Sequence, residues 1–131
     1  MPSKVTTSTP PNTMVPVGAY SHIAKVGPFI TIGGTAGVDP ETGKLAGADV
    51  ASQTKQILDA FEVMLATVGS DMDHVVHINV FLADIQNFAV MDAAYLAKMG
   101  ERRPARTAVA VSGLPKPGAL LTMNLTAVTV E

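Results

Sequence analysis

At 131 residues the chain is long enough for one domain with a sizeable core and too short for two. Apolar residues make up 47% and charged residues only 15%, with a net charge of -2, which excludes the basic footprint of a nucleic-acid binder and predicts that surplus apolar surface is buried between subunits. No apolar run approaches the roughly 18 residues of a membrane span, and the lack of cysteine excludes disulfides, thiolate nucleophiles and Cys-based zinc sites.

Residues 1–16, rich in Ser, Thr and Pro, read as a flexible arm without the apolar core of a signal peptide, and residues 17–131 as a single domain. Two β-prone runs flank "KVGP", where Gly27 and Pro28 predict a hairpin turn; Gly33, Gly34 and Gly37 loosen its far end. "DPETGK", residues 39–44, predicts an exposed loop. From Asp49 a helix is expected, with Ile57, Phe61, Met64, Leu65 and Val68 on one face and Gly69 as its cap.

"HVVHINVFLAD", residues 74–84, alternates with the period of a strand and is apolar on both faces, as a central strand would be. A second helix is expected between Asn87, a candidate N-cap, and Gly100, with Phe88, Met91 and Tyr95 on one side. A strand over 106–111, a turn in "GLPKPG" and a last strand over 120–130 complete the order β-β-α-β-α-β-β. That order, with a hairpin at each end, predicts an α+β sheet carrying both helices on one face and a second copy of the chain on the other.

Candidate chemistry centres on "RRPARTAVAV", residues 102–111. The guanidinium of Arg106 matches a carboxylate in two parallel hydrogen bonds, or it serves a surface or interface ion pair; Arg102 and Arg103 read as solvated loop charges. Tyr20 is a candidate hydrogen-bond donor in a cleft or a half-buried packing residue. His22, His74 and His77 are candidate acid/base groups without a visible partner, and three scattered histidines predict no metal site. Thr122, Asn124 and Thr126 share one face of the last strand, lining a pocket or facing water. "GGTAG" lacks the spacing of a phosphate-binding loop.

Three stretches together, "GAYSHIAKVGPFITIGG", "QTKQILDAFEVMLATVGSDMDHVVHINVFLADIQNFAVMDAAY" and "RRPARTAVAVSGLPKPGALLTMNLTAV", resemble the RidA family, also called YjgF or L-PSP, over about Val17 to Val128. The resemblance rests on the early Gly-x-Tyr, the Val-Phe-Leu-x-Asp after the first helix, and Pro-Ala-Arg followed by Leu-Pro. It implies a chorismate mutase-like fold, a homotrimer with interface clefts, and hydrolysis of enamines and imines such as 2-aminoacrylate to a 2-oxo acid and ammonia. It implies no cofactor, and a cytoplasmic location agrees with the absence of cysteine. By the same resemblance Arg106 holds the substrate carboxylate, Tyr20 lines the cleft, the Ala108 backbone faces the substrate nitrogen, and Gly34 matches a glycine of the second strand.

Two positions depart from the family pattern: Gly33 stands where the best-known deaminases carry serine, and Thr122 where they carry a glutamate thought to position water. A threonine orients water but accepts no proton as a carboxylate does. Three functions follow as alternatives. The first is a deaminase, with water held by Thr122 or Asn124, or a proton from Tyr20 or His22, and 2-aminomuconate as one candidate substrate. The second is a non-catalytic binder of small carboxylates; the third, an endoribonuclease, is disfavoured by the acidic balance of the chain.

Overall fold

In a computed structural model that describes residues 4–131, the chain runs β1 (Thr6–Ser8), β2 (Ile23–Val26), β3 (Phe29–Ala36), β4 (Val38–Asp39), β5 (Lys44–Leu45) and α1 (Val50–Ala66). It continues through β6 (Val75–Leu82), α2 (Phe88–Met99), β7 (Ala105–Ala110) and β8 (Leu121–Val128). Six strands form one sheet in the order β1-β2-β3-β8-β6-β7, while β4 and β5 pair alone. The pair β6 and β7 is parallel and the other pairs are antiparallel, so α2 is the crossover that a parallel pair requires.

Local chemistry explains the boundaries. Asp49 caps α1 by accepting a hydrogen bond from the Ser52 backbone N–H at 2.9 Å. The helix ends at Thr67, and Gly69 takes the left-handed φ of 76° as the chain turns back toward β6. Gly100 ends α2 in the same way, with φ 64° and its N–H on the Leu96 carbonyl. Gly27 provides the positive φ of the two-residue turn between β2 and β3. Asn87 makes no side-chain cap; it closes a short 3-10 turn that is itself capped by Asp84.

Both helices lie on one face of the sheet. Along β8, Leu121, Met123, Leu125 and Ala127 are buried beneath them, while Thr122, Asn124, Thr126 and Val128 alternate onto the other face. From α1, Ile57, Leu58, Phe61, Met64 and Leu65 are fully buried. At about 1.5–3 kcal/mol for each fully buried large apolar side chain, this layer is the main source of stability.

Two expectations are corrected. The C-terminal strands form no hairpin: β8 inserts between β3 and β6, and β7 stands at the sheet edge, because the strand with the cleanest apolar alternation takes the centre. Nor does the core begin at Val17. Strand β1 pairs with β2, and Met14, only 4% exposed, packs with Ala36, Val38 and Ala119 in a second small core over the end of β3.

Candidate functional site

Tyr20 precedes β2, and its phenol is fixed twice: the hydroxyl donates to the Gly34 carbonyl at 3.1 Å and accepts from the Val17 N–H at 3.3 Å. The register of β3 against β8 shifts between Ile32 and Thr35, and the Tyr20 ring lies against Gly33 at that irregularity. A Cβ at Gly33 would meet the ring carbons at 3.5 and 3.6 Å, ordinary contact, so packing does not impose glycine there. Tyr20, Gly34 and Thr122 line one cavity of about 230 Å³ together with Met14, Val17 and Lys116.

His22 and Asn124 do not join them. The His22 ring is fully buried, with Nε2 bound to the Met14 carbonyl at 2.6 Å and its edge toward the Tyr20 ring, so it braces the second core and is not positioned to donate a proton to a ligand. The Asn124 amide oxygen accepts from Asn79 at 2.9 Å across the β6/β8 ladder, outside the Tyr20 cavity. His74 and His77 are likewise apart, one against Asp71 and the other against Thr107.

Arg106 occupies a different cavity. In the sheet register it lies beside Ile78 and then Leu125, both buried beneath the helices, so its side chain rises on the helix face. There one Nη1–H donates to Asp92 of α2 at 2.8 Å, and the guanidinium carbon sits 4.7 Å from the Tyr95 ring centre and 5.5 Å from that of Phe88. No other hydrogen bond engages the group among the described residues, which leaves most of its planar fork of donors open. Arg106 is thus ion-paired, as one of its two readings expects, and its remaining donors are unengaged among the described residues.

This cavity, about 390 Å³, is lined by Asp92, Tyr95, Leu96, Arg103, Pro104 and Arg106. Burial raises the Tyr95 phenol above its usual pKa, an effect the nearby Arg106 charge partly opposes. Its hydroxyl is buried without a hydrogen-bond partner among the described residues. Ala108 follows Arg106 by two residues on the same face of β7, and the edge position of that strand leaves backbone groups unpaired on its outer side.

The two arginines before Pro104 divide. Arg102 is not a solvated loop charge: it donates to the Met99 and Lys98 carbonyls and so ties off the end of α2. Arg103 is exposed, bonds the Gly100 and Arg102 carbonyls, and lends the cavity a second cation. Asp92 and Lys116 carry no sequence signal of a site, and Tyr95 is marked in the sequence only as one of the residues on the packing side of the second helix. Asp92 and Tyr95 stand at i and i+3 on the crossover helix that leads into β7, a spacing that places both over that strand. No cluster of three or more metal-ligating side chains occurs among the described residues.

The Arg106 and Tyr20 cavities are separate. Arg106 is three ladder steps from β3, about 14 Å at the usual strand spacing, and points to the opposite face of the sheet from Thr122.

Comparison with known proteins agrees with this architecture. A family model described as "Endoribonuclease L-PSP" matches residues 10–129. A "RutC family protein" of Pyrococcus abyssi is 42% identical over 101 residues, 77% of this chain and 80% of that protein. The "2-iminobutanoate/2-iminopropanoate deaminase" of Homo sapiens is 37% identical over 100 residues, 76% of this chain and 73% of its own. Among solved structures, RidA from an Antarctic Psychrobacter superposes with a TM-score of 0.88 at 32% identity, covering 94% of this chain and 98% of that one. The YjgF gene product of E. coli gives 0.87 at 32%, with the same coverage. The fold, the position of Pro-Ala-Arg at the start of β7 and these matches together mean that the chain belongs to the RidA/YjgF/L-PSP family.

Proposed function

We propose that this protein hydrolyses small, reactive enamine and imine carboxylic acids to 2-oxo acids and ammonia, in clefts where the Arg106 cavity of one subunit meets the Tyr20 cavity of a neighbour in a homotrimer. The observation that carries the reading is the half-buried Arg106 guanidinium, oriented by Asp92 and Tyr95 with most of its fork open to a cavity. That the two cavities lie on opposite faces of the sheet supports a site completed by a second copy. The relatives named as imine deaminases support the chemistry.

In this mechanism the enamine tautomerises to the imine, and Arg106 holds its carboxylate. Water adds to the imine carbon, forming the C–O bond as one of its protons passes to the nitrogen; the carbinolamine then collapses, its hydroxyl proton passing to the nitrogen as the C–N bond breaks and ammonia leaves. The protein supplies orientation and water exclusion, worth most for a substrate that already reacts with water. Thr122 and the Tyr20 hydroxyl hold the water by hydrogen bonds, and the Ala108 backbone faces the nitrogen.

The test is ammonia and 2-oxo acid release from 2-aminoacrylate and from 2-aminomuconate, each generated in place. Acceleration over buffer is expected, with Arg106→Ala lowering kcat/KM by roughly 30- to 1,000-fold, the loss of about 2–4 kcal/mol of charge-assisted hydrogen bonding. Turnover no faster than buffer for both compounds defeats the proposal. The replacement of a family carboxylate by Thr122 favours one other reading, a carboxylate binder without turnover. Heats of 2-oxo acid binding that disappear in Arg106→Ala, with no ammonia release, would establish it.

A further inference from the structure

Asp92 is half exposed, and among the described residues its side chain bonds only Arg106, the very group that faces the cavity. We propose that Asp92 sets the charge class of the substrate, making the Arg106 pocket a receptor for monocarboxylates and disfavouring dicarboxylates. The inference rests on the reading that Arg106 anchors the substrate carboxylate. Arg106 offers five donors in a rigid plane, and Asp92 accepts from Nη1. The Tyr95 and Phe88 rings hold the guanidinium carbon in place, and the Asp92 hydrogen bond orients the fork. A carboxylate on the open donors therefore lies within a few ångströms of the Asp92 carboxylate.

The charges around this cavity are Arg103 and Arg106 against Asp92, one net positive charge. A single substrate carboxylate neutralises it. A second carboxylate takes the cavity past neutrality and adds repulsion from Asp92. Arg103, whose donors go to the Gly100 and Arg102 carbonyls, is the same in every variant compared. Asp92 is thus the group that shifts the balance toward the imine of a short monocarboxylic acid and away from a muconate-like diacid. Lys116, in the Tyr20 cavity, is the same in every variant compared and cancels from the ratio.

The experiment measures calorimetric binding of 2-oxobutanoate and 2-oxoglutarate, which do not depend on turnover, at low and physiological salt. The proteins are the wild type, Asp92→Asn, Asp92→Ser, Asp92→Glu and Arg106→Ala, each checked for an unchanged melting temperature. Asp92→Asn and Asp92→Ser should improve 2-oxoglutarate roughly five- to tenfold more than 2-oxobutanoate, the effect of removing one charge at such a distance, with the gap narrowing in salt. Asp92→Glu keeps the wild-type ratio. Equal gains for both acids would show that Asp92 merely competes for Arg106 and overturn the charge selection alone, as would an unchanged ratio. Binding of both acids that survives Arg106→Ala, or no binding of either acid to the wild type, would overturn the Arg106 anchor and this inference with it.

Discussion

Gly37 follows β3 at the point where the strand passes beneath α1. A Cβ there would lie 2.5 Å from the Gln53 carbonyl oxygen and 2.7 Å from its Cα, backbone atoms of a helix that cannot step aside singly. Relief to ordinary contact at 3.4 Å requires strand and helix to part by about 0.9 Å. Overpacking of this kind costs about 1–3 kcal/mol. The shift also pulls on a buried link, because the Gln53 side chain accepts from the Leu120 N–H at 2.8 Å and donates to the Gly47 carbonyl at 2.9 Å. Losing one such bond adds about 1–2 kcal/mol.

Gly37→Ala should therefore destabilise by about 2–5 kcal/mol. With an unfolding entropy of about 0.28 kcal/mol/K for this length, the melting temperature should fall by roughly 7–18 °C. Thermal denaturation followed by far-UV circular dichroism measures it, with Gly33→Ala as the control. At Gly33 the added Cβ makes only ordinary contact with the Tyr20 ring, and the expected change is within about 1 kcal/mol. A Gly37→Ala melting temperature within 3 °C of wild type, on the order of 1 kcal/mol, would refute the close-approach argument.

Three further outcomes are expected. Tyr95→Phe removes a buried hydroxyl that has no partner among the described residues while keeping the ring beneath Arg106, so the melting temperature should hold or rise, by up to about 1 kcal/mol in stability; a clear loss would reveal a bound water or partner at that oxygen. Lys98 lies between Asp59 and Glu62, joining α2 to α1 at 2.9 and 2.7 Å. Burial opposes charge on both Asp59 and Lys98, but the ion-pair hydrogen bonds outweigh it, lowering Asp59 below 3.8 and raising Lys98 above 10.5. The Asp59 contribution is thus complete above 3.8 and lost as pH falls through the lower folded value; that of Lys98 is complete below 10.5 and lost as pH rises through the higher one. Lys98→Met should cost less than about 1 kcal/mol at neutral pH, given the partial exposure, and urea titrations should show the difference shrinking at both extremes. Thr122→Glu places a carboxylate in the Tyr20 cavity; if water activation limits turnover, kcat rises by about 10- to 100-fold in the ammonia assay, and an unchanged kcat puts the limit at another step.

Much of the architecture is legible in the chain. The spacing of Ile57, Phe61, Met64 and Leu65 defines α1, the alternation of Leu121, Met123 and Leu125 with Thr122, Asn124 and Thr126 defines β8, and Gly27, Gly69 and Gly100 mark their turns. These signals are local, because helix and strand periods repeat within a few residues. The insertion of β8 between β3 and β6 is not local, nor is the return of Met14 over Ala36 and Val38.

The site divides in the same way. Arg106 and Tyr20 are candidates by residue type and family pattern, but a sequence holds no statement of which face Arg106 takes or what it meets there. Asp92 and Tyr95 become its partners only because a parallel strand pair carries α2 across the sheet above β7. Residue type and period determined which side chains are available and on which side of each element they stand; tertiary packing decided which of them meet, removing His22 into the core and leaving Arg106 and Thr122 on opposite faces, since contacts between distant segments depend on how whole elements bury their apolar faces.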